Sequence, residues 1–273
     1  MTSRRTSSSD PAPEPSPAAH QWAADLASWA IPDAIIAQAP SNPWIHPVAQ
    51  FLAPDGPIPD SPSHAAAREV LPEGGSVLDV GCGGGRGALA LAPPAMHLIG
   101  VDHQEGMLEA FAAAAEARGV THTEILGDWP DVAADTPIAD VAISHHVAYN
   151  VPDLPGFARA LTEHARHRVV LELPVRHPLS WMNPLWKQFW DLNRPTSPTA
   201  EDALVIIREL GYDAHLVEFD DVTERIPLDP TAQAEAACVR LCLPVDRADE
   251  VAAAVVAADR GTPRRLAAIW WDV

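Results

Sequence analysis

One stretch constrains this chain more than any other: Val77-Leu78-Asp79-Val80-Gly81-Cys82-Gly83-Gly84-Gly85-Arg86-Gly87. Its first half reads as a buried strand and its end opens a helix, so the glycines fall on the tight turn between the two. At such a turn the backbone approaches a ligand without side-chain interference. A phosphate loop would end in Gly-Lys-Ser/Thr, which is absent, and the dinucleotide spacing would need glycine at position 86, where Arg86 stands. What remains is a Gly-x-Gly-x-Gly loop preceded by an acid, Asp79.

The pattern around the loop alternates. Helices are expected over His64 to Val70, from Arg86, over Glu105 to Arg118 and over Leu154 to His164. Between them, strands are expected over Ser76 to Val80, His97 to Val101, Thr121 to Leu126, Val141 to Ser144 and Arg168 to Leu173. Beyond residue 200 come a helix over Glu201 to Leu210, a strand over Asp213 to Phe219, helices over Thr231 to Leu243 and Ala248 to Ala258, and a last strand over Arg264 to Asp272. Strands alternating with helices imply an α/β fold, a doubly wound sheet covered on both faces. Apolar runs such as Arg168-Val169-Val170-Leu171-Glu172-Leu173 suit its central strands.

Three segments stand outside this alternation. Residues 1–20, rich in Ser, Pro and Ala, read as a disordered tail; Arg4 and Arg5 lack the apolar region that an export signal needs after them. Residues 21–63 read as a clasp, with helical spacing from Trp22 to Ile36 broken at Pro32 and a Pro-dense connection after it. That connection, with Trp44 and His46, is a linker or the wall of a site. Residues 64–273 form the main domain, interrupted over 175–200 by an insert in which Trp181, Trp186 and Trp190 fall within ten residues. The insert predicts a short helix with an aromatic face near the carboxyl ends of the strands. It is an apolar substrate wall, or it anchors the insert or a second subunit.

Two further acids complete a ligand pattern. Asp102 lies twenty-one positions beyond Gly81, at the end of the next strand, where an acid accepts from both hydroxyls of a ribose. After the following strand, Gly127-Asp128-Trp129 offers an acceptor for the amino group of adenine and a ring to cover the base. Together these make the loop a nucleoside site.

At these residues the sequence resembles the class I S-adenosylmethionine-dependent methyltransferases. Residues 77–85 are similar to their first motif, Gly100-Val101-Asp102-His103-Gln104-Glu105-Gly106-Met107-Leu108 to the second, Gly127-Asp128-Trp129 to the third, and Ala139 to Val147 to the fourth. The resemblance covers roughly Ala65 to Leu173. It implies a Rossmann-like seven-stranded sheet, mostly parallel, with the last strand inserted antiparallel. It implies S-adenosyl-L-methionine as cofactor, with Gly81, Gly83 and Gly85 on its methionine part and Asp79 near its ammonium. Asp102 would hold the ribose, Met107, Asp128 and Trp129 would bind adenine with His103 beside them, and Ser144 and His145 would flank the methyl. His103 departs from the Ser, Ile or Phe that the family often carries there.

Such a cofactor brings its own activation, so the protein chiefly positions the acceptor. If the acceptor needs a base, His145, His146, Tyr149, Glu172 and His177 stand at the carboxyl ends of strands, with His145 and His146 the catalytic candidates. Adjacent residues in a strand point to opposite sides, so one of the two histidines faces the cofactor and the other is structural. The substrate-lining candidates are Trp44, Tyr149, His177, Trp181 and Trp186. The twelve histidines show no metal spacing, and Cys238 with Cys242 reads as a pair of core residues, so no metal is expected.

Composition narrows the acceptor. Lys plus Arg at 18 against Asp plus Glu at 37 gives a net charge of −19, which repels polyanions and, with no Asn-Pro-Pro-Tyr type motif, disfavours a nucleic-acid methyltransferase. Three cysteines without a pairing framework suit a reducing compartment. No apolar run is long enough to span a bilayer. The expectation is a soluble cytoplasmic protein, monomer or homodimer, that methylates a small molecule and binds neither nucleic acid nor membrane. A cofactor-binding regulatory protein without turnover and a dehydrogenase are the rival readings.

Overall fold

In the computed structural model, the described residues are 15–44, 51–54, 56–221, 230–258 and 264–273. Most of the tail, His46 in the Pro-dense connection, and the segments 222–229 and 259–263 lie outside them. The seven strands are β1 (Ser76–Val80), β2 (His97–Asp102), β3 (Thr121–Leu126), β4 (Ala139–His145), β5 (Ala165–Pro174), β6 (His215–Asp220) and β7 (Arg265–Asp272). They form one sheet in the order β3-β2-β1-β4-β5-β7-β6. The β1–β2, β1–β4, β2–β3 and β4–β5 pairs are parallel, and β7 runs antiparallel to both neighbours. As the resemblance implied, the last strand is inserted antiparallel, between β5 and β6, and β6 is the edge.

Because side chains alternate along a strand, neighbouring residues serve opposite faces. Leu78, Ile99, Ala142 and Val169 belong to a core cluster closed by α1 (Pro17–Ala27), α6 (Leu154–Glu163) and α8 (Ala200–Glu209). Val77, Leu98, Val141, Ile143 and Val170 pack instead under α3 (Pro62–Val70), α4 (Arg86–Leu89) and α5 (Glu105–Ala117). Fully buried Leu78, Leu98, Phe111 and Phe157 each contribute about 1.5–3 kcal/mol.

The N-terminal helix begins earlier than the sequence suggested. Ser16 caps it by accepting from the Ala19 amide and Pro17 fits the first turn, so residues 17–20, read as tail, are helical. Trp22 is buried and its indole N–H donates to Val151 O at 2.8 Å, which fixes the helix on the sheet.

A third cluster lies apart from the two faces of the sheet. Ile31 and Ile35, beside or within α2 (Asp33–Ile36), pack with Met182, Leu185 and Trp186 at α7 (Asn183–Trp190). Cys238, Leu241 and Cys242, at the end of α9 (Pro230–Arg240), join them, as do Val251 and Ala254 of α10 (Ala248–Ala258). The insert is thus one part of a cap assembled from three distant segments.

Candidate functional site

In a doubly wound sheet, ligands bind outside the carboxyl ends of the strands where the strand order reverses. Here that point is between β1 and β4, and the glycine loop leaves β1 directly into it. The loop folds by left-handed backbone: Gly81 has φ 72° and Gly85, the residue before α4, has φ 84°. A Cβ on Gly81 would stand 2.3 Å from Val147 Cγ2, so the turn after β4 packs directly on the loop.

Asp79 is buried beneath the loop, and its carboxylate accepts from the Ala88 amide at 3.1 Å. Burial pushes its pKa up to about 7, against the lowering effect of that amide and with a further push from Asp102. Asp102 ends β2 with its carboxylate held by two backbone donors, the Gly83 amide at 3.0 Å and the Gln104 amide at 2.9 Å. Each carboxylate oxygen keeps lone pairs for a ligand hydroxyl. His103 is exposed beside it, with Nδ1 3.8 Å from the carboxylate. Met107 is buried on α5. Asp128 is exposed, and Trp129 is half-buried, edge-on to His164 at 5.0 Å.

Where it is described, the Pro-dense connection packs at residues 51–52 on the glycine loop. The Gly84 amide donates to Phe51 O at 3.2 Å, and Arg86 reaches Leu52 O at 3.1 Å. A Cβ on Gly84 would meet Phe51 O at 2.7 Å. Residues 51–52 therefore lie against the glycine loop, while Trp44 lines a small cleft in the cap with Trp186, Ile31, Met182 and Arg194.

At the end of β4 the row of alternating side chains turns polar. Val141, Ile143 and His145 share the α3–α5 face, as do Val170 and Glu172 of β5, and His145 is in register with Glu172. Glu172 is buried, and its Oε2 accepts from Ser61 Oγ at 3.1 Å. Its Oε1 is 3.4 Å from His146 Nε2 and 4.0 Å from His145 Nδ1. His146 has φ 64°, an uncommon conformation for a residue with a side chain, and this turns the ring toward Glu172. The strand alternation therefore stops at His145, and both histidines meet one carboxylate. Burial lowers the His145 pKa to about 4.

The remaining candidates are scattered. Ser144 is buried and its hydroxyl donates to Val80 O at 2.8 Å, tying β4 to β1. The Tyr149 hydroxyl donates to Pro174 O at 2.8 Å, and burial drives its pKa upward. His177 stacks on Trp29 at 3.8 Å and lies edge-on to Tyr149 at 5.2 Å, and burial brings its pKa to about 4. Trp186 is buried, whereas Trp181 is 54% exposed and away from the cleft. The sequence reading missed Ser61, His64 and Arg194. Ser61 and His64 carry a readable signal, an N-cap Ser followed by Pro, but nothing local tells that they reach β4 and β5.

The strand order, the glycine turn and an acid fixed at the end of β2 define a nucleoside-cofactor protein of the doubly wound class. Residues 77–168, about a third of the chain, match the methyltransferase domain family. An uncharacterized protein of Haemophilus influenzae is 34% identical over 97 residues, which are 35% of this chain and 36% of that protein. The chain thus spans about a third of the length of that curated relative. Two solved structures share the fold. One, provisionally assigned as a sarcosine dimethylglycine methyltransferase of Galdieria sulphuraria, has a TM-score of 0.51 at 13% identity, covering 77% of this chain and 82% of that one. The other, the YcgJ protein of Bacillus subtilis, has a TM-score of 0.50 at 16% identity, covering 77% of this chain and 97% of that one.

The residues present fit the cofactor. The two amides on Asp102 hold its carboxylate still, and the floor at Gly81 is bare backbone that no side chain could share with Val147. Among the described residues no helix is long and apolar enough to cross a membrane, and no group of three or more His, Cys, Asp or Glu side chains is arranged to hold a metal ion.

Proposed function

We propose that this domain methylates a small organic molecule seated between the carboxyl ends of β4 and β5 and the cap. The observation that carries this reading is the packing over those strand ends: Trp29 stacked on His177 at 3.8 Å, and Trp186 buried within the cap. Such a roof suits a small acceptor, and the −19 charge of the chain adds repulsion toward a nucleic acid.

S-adenosylmethionine, when bound, supplies a methyl on a positively charged sulfur that is displaced in line by an acceptor lone pair. In this reading Asp102 holds the ribose hydroxyls, and Gly81, Gly83 and Gly85 present bare backbone to the methionine part. Asp79 lies beneath the loop as a charge toward the ammonium. Met107, His103, Asp128 and Trp129 surround the adenine, and Ser144 keeps β4 tight on β1 beside the methyl. His146, with His145 behind it, faces the acceptor as the proton-accepting group. Tyr149 and His177 support the acceptor wall rather than moving protons, since the Tyr149 proton is committed to a backbone carbonyl. Three free, buried thiols, Cys82, Cys238 and Cys242, support a cytoplasmic setting.

The test is a transfer assay with methyl-labelled S-adenosylmethionine and fractionated metabolite extract. Label is expected in a low-mass product; label found only in nucleic acid or protein fractions would overturn the reading.

A further inference from the structure

The mechanism above uses His146 and leaves a buried polar group beside it unexplained. Ser61 is the N-cap of α3: its Oγ accepts from the His64 amide and donates to Glu172 at 3.1 Å. His64, one turn into α3, is 5% exposed, and neither of its ring nitrogens has a hydrogen-bond partner. Its ring lies 5.4 Å from that of His145, whose Nε2 is also buried without a partner. On its far side, His64 Nδ1 is 3.7 Å from the carboxylate of Asp60, which is 60% exposed.

These groups form a line. It runs from His146 to Glu172 at 3.4 Å, from Glu172 to His145 at 4.0 Å, across the two facing rings to His64, and on to Asp60 at 3.7 Å. Separations of this size are crossed by a small ring rotation or one bridging water. A histidine in such a line can take a proton on one nitrogen and release it from the other. Unpartnered ring nitrogens in an interior are costly, and three on two facing rings call for an explanation.

We propose that Glu172, His145 and His64 form a proton-exit line from His146 to Asp60, and that the acceptor is a hydroxyl, phenol or protonated amine that gives up a proton as it is methylated. The inference rests on the methyltransferase reading of the same crevice. The bond from the acceptor atom to hydrogen breaks, and its electron pair forms the new bond to carbon. The carbon–sulfur pair stays with sulfur, and the proton passes to His146. With cofactor and acceptor seated, the open edge of His146 is covered, so the proton leaves through the protein. Ser61 is a positioning residue here: it fixes one oxygen of the Glu172 carboxylate and leaves the other to pass the proton between the two histidines. The charged and titratable groups facing the line are Arg68 on α3, Asp79 on β1, and Arg264 and Asp221 near His146.

The line is tested on the full chain labelled with 15N-histidine, with and without saturating S-adenosylhomocysteine, by solvent exchange of the His145 ring N–H. His64→Phe is expected to slow that exchange at least tenfold and Asp60→Asn about threefold, with the backbone amide of Ile143 changed less than twofold. Asp60 is exposed, so its variant leaves the fold intact and decides the matter should His64→Phe not fold. Ring exchange that stays within twofold of wild type in Asp60→Asn would overturn the proposal. Calorimetric binding of S-adenosylhomocysteine in the same samples reports the cofactor reading separately: the line can fail with binding intact, and binding can fail with exchange still governed by Asp60.

Discussion

The crevice at β1–β2 and the cap over β5 are built by opposite means. At the crevice, backbone does the work: left-handed glycines, and a carboxylate held by two amides, one two residues further on and one from the glycine loop after the neighbouring strand. In the cap, side chains from α2, α7, α9 and α10 bury one another, and Arg194 joins them to the segment between α1 and α2 by donating to Ala30 O while its guanidinium lies 5.4 Å from the Trp29 ring and 5.0 Å from Trp186. The difference teaches that the crevice is shaped by backbone hydrogen bonds of two adjoining loops, whereas the cap is shaped by tertiary packing of distant segments.

This contrast can be broken at either end. The largest effect is expected from Gly81→Val. Its Cβ would meet Val147 at 2.3 Å on a backbone of φ 72°, so strain and overpacking together cost about 3–5 kcal/mol. Thermal denaturation and titration with S-adenosylmethionine should show lost stability and cofactor affinity lowered more than a hundredfold. Trp186→Ala should cost about 3 kcal/mol by emptying the cap core, yet change cofactor affinity less than threefold. Equal damage to cofactor binding would mean that the two regions are not separable.

The contrast also predicts a pH signature. Burial lowers the pKa values of His64, His145, His146 and His177 from the ordinary 6.5 to about 4, so each stabilises the fold when neutral and loses that contribution as pH falls from 6.5 towards 4. Asp79, raised to about 7, acts the other way: the unfolded chain releases its proton near 4, so stability falls as pH rises from there to 7. Four protons against one leave a net gain with rising pH of up to roughly 3 kcal/mol per unit between 4 and 6.5, His146 counting least because its side chain is 40% exposed. Denaturant midpoints should therefore peak near pH 6.5. Asp79→Asn should move the peak upward, since it removes the only member of the set opposing stability above 6.5. The smallest effect belongs to Trp181→Ala on the exposed rim, expected within about 0.5 kcal/mol of wild type.

The same division explains what could be read in the sequence. The glycine loop, the acid at Asp102 and the strands β1 to β5 along the chain are local signals, each carried by a few adjacent residues. The cap is not: the spacing of Cys238, Leu241 and Cys242 shows a buried helix face, but nothing in it says that the face meets Trp186. His145 and His146 were expected on opposite sides because strands alternate, and the left-handed turn at His146 cancels that rule. Tyr149 and His177, chosen as residues at strand ends, are placed by long-range stacking with Trp22 and Trp29, which no spacing encodes.

The central claim is that Asp102 and the glycine loop hold S-adenosylmethionine. Calorimetric titration of the wild-type chain and Asp102→Ala with S-adenosylmethionine, S-adenosylhomocysteine and NAD tests it most directly. The account predicts that both adenosyl compounds bind the wild type, that NAD does not, and that Asp102→Ala weakens binding by about 1–3 kcal/mol. Binding of NAD alone, or unchanged affinity in Asp102→Ala, would contradict it.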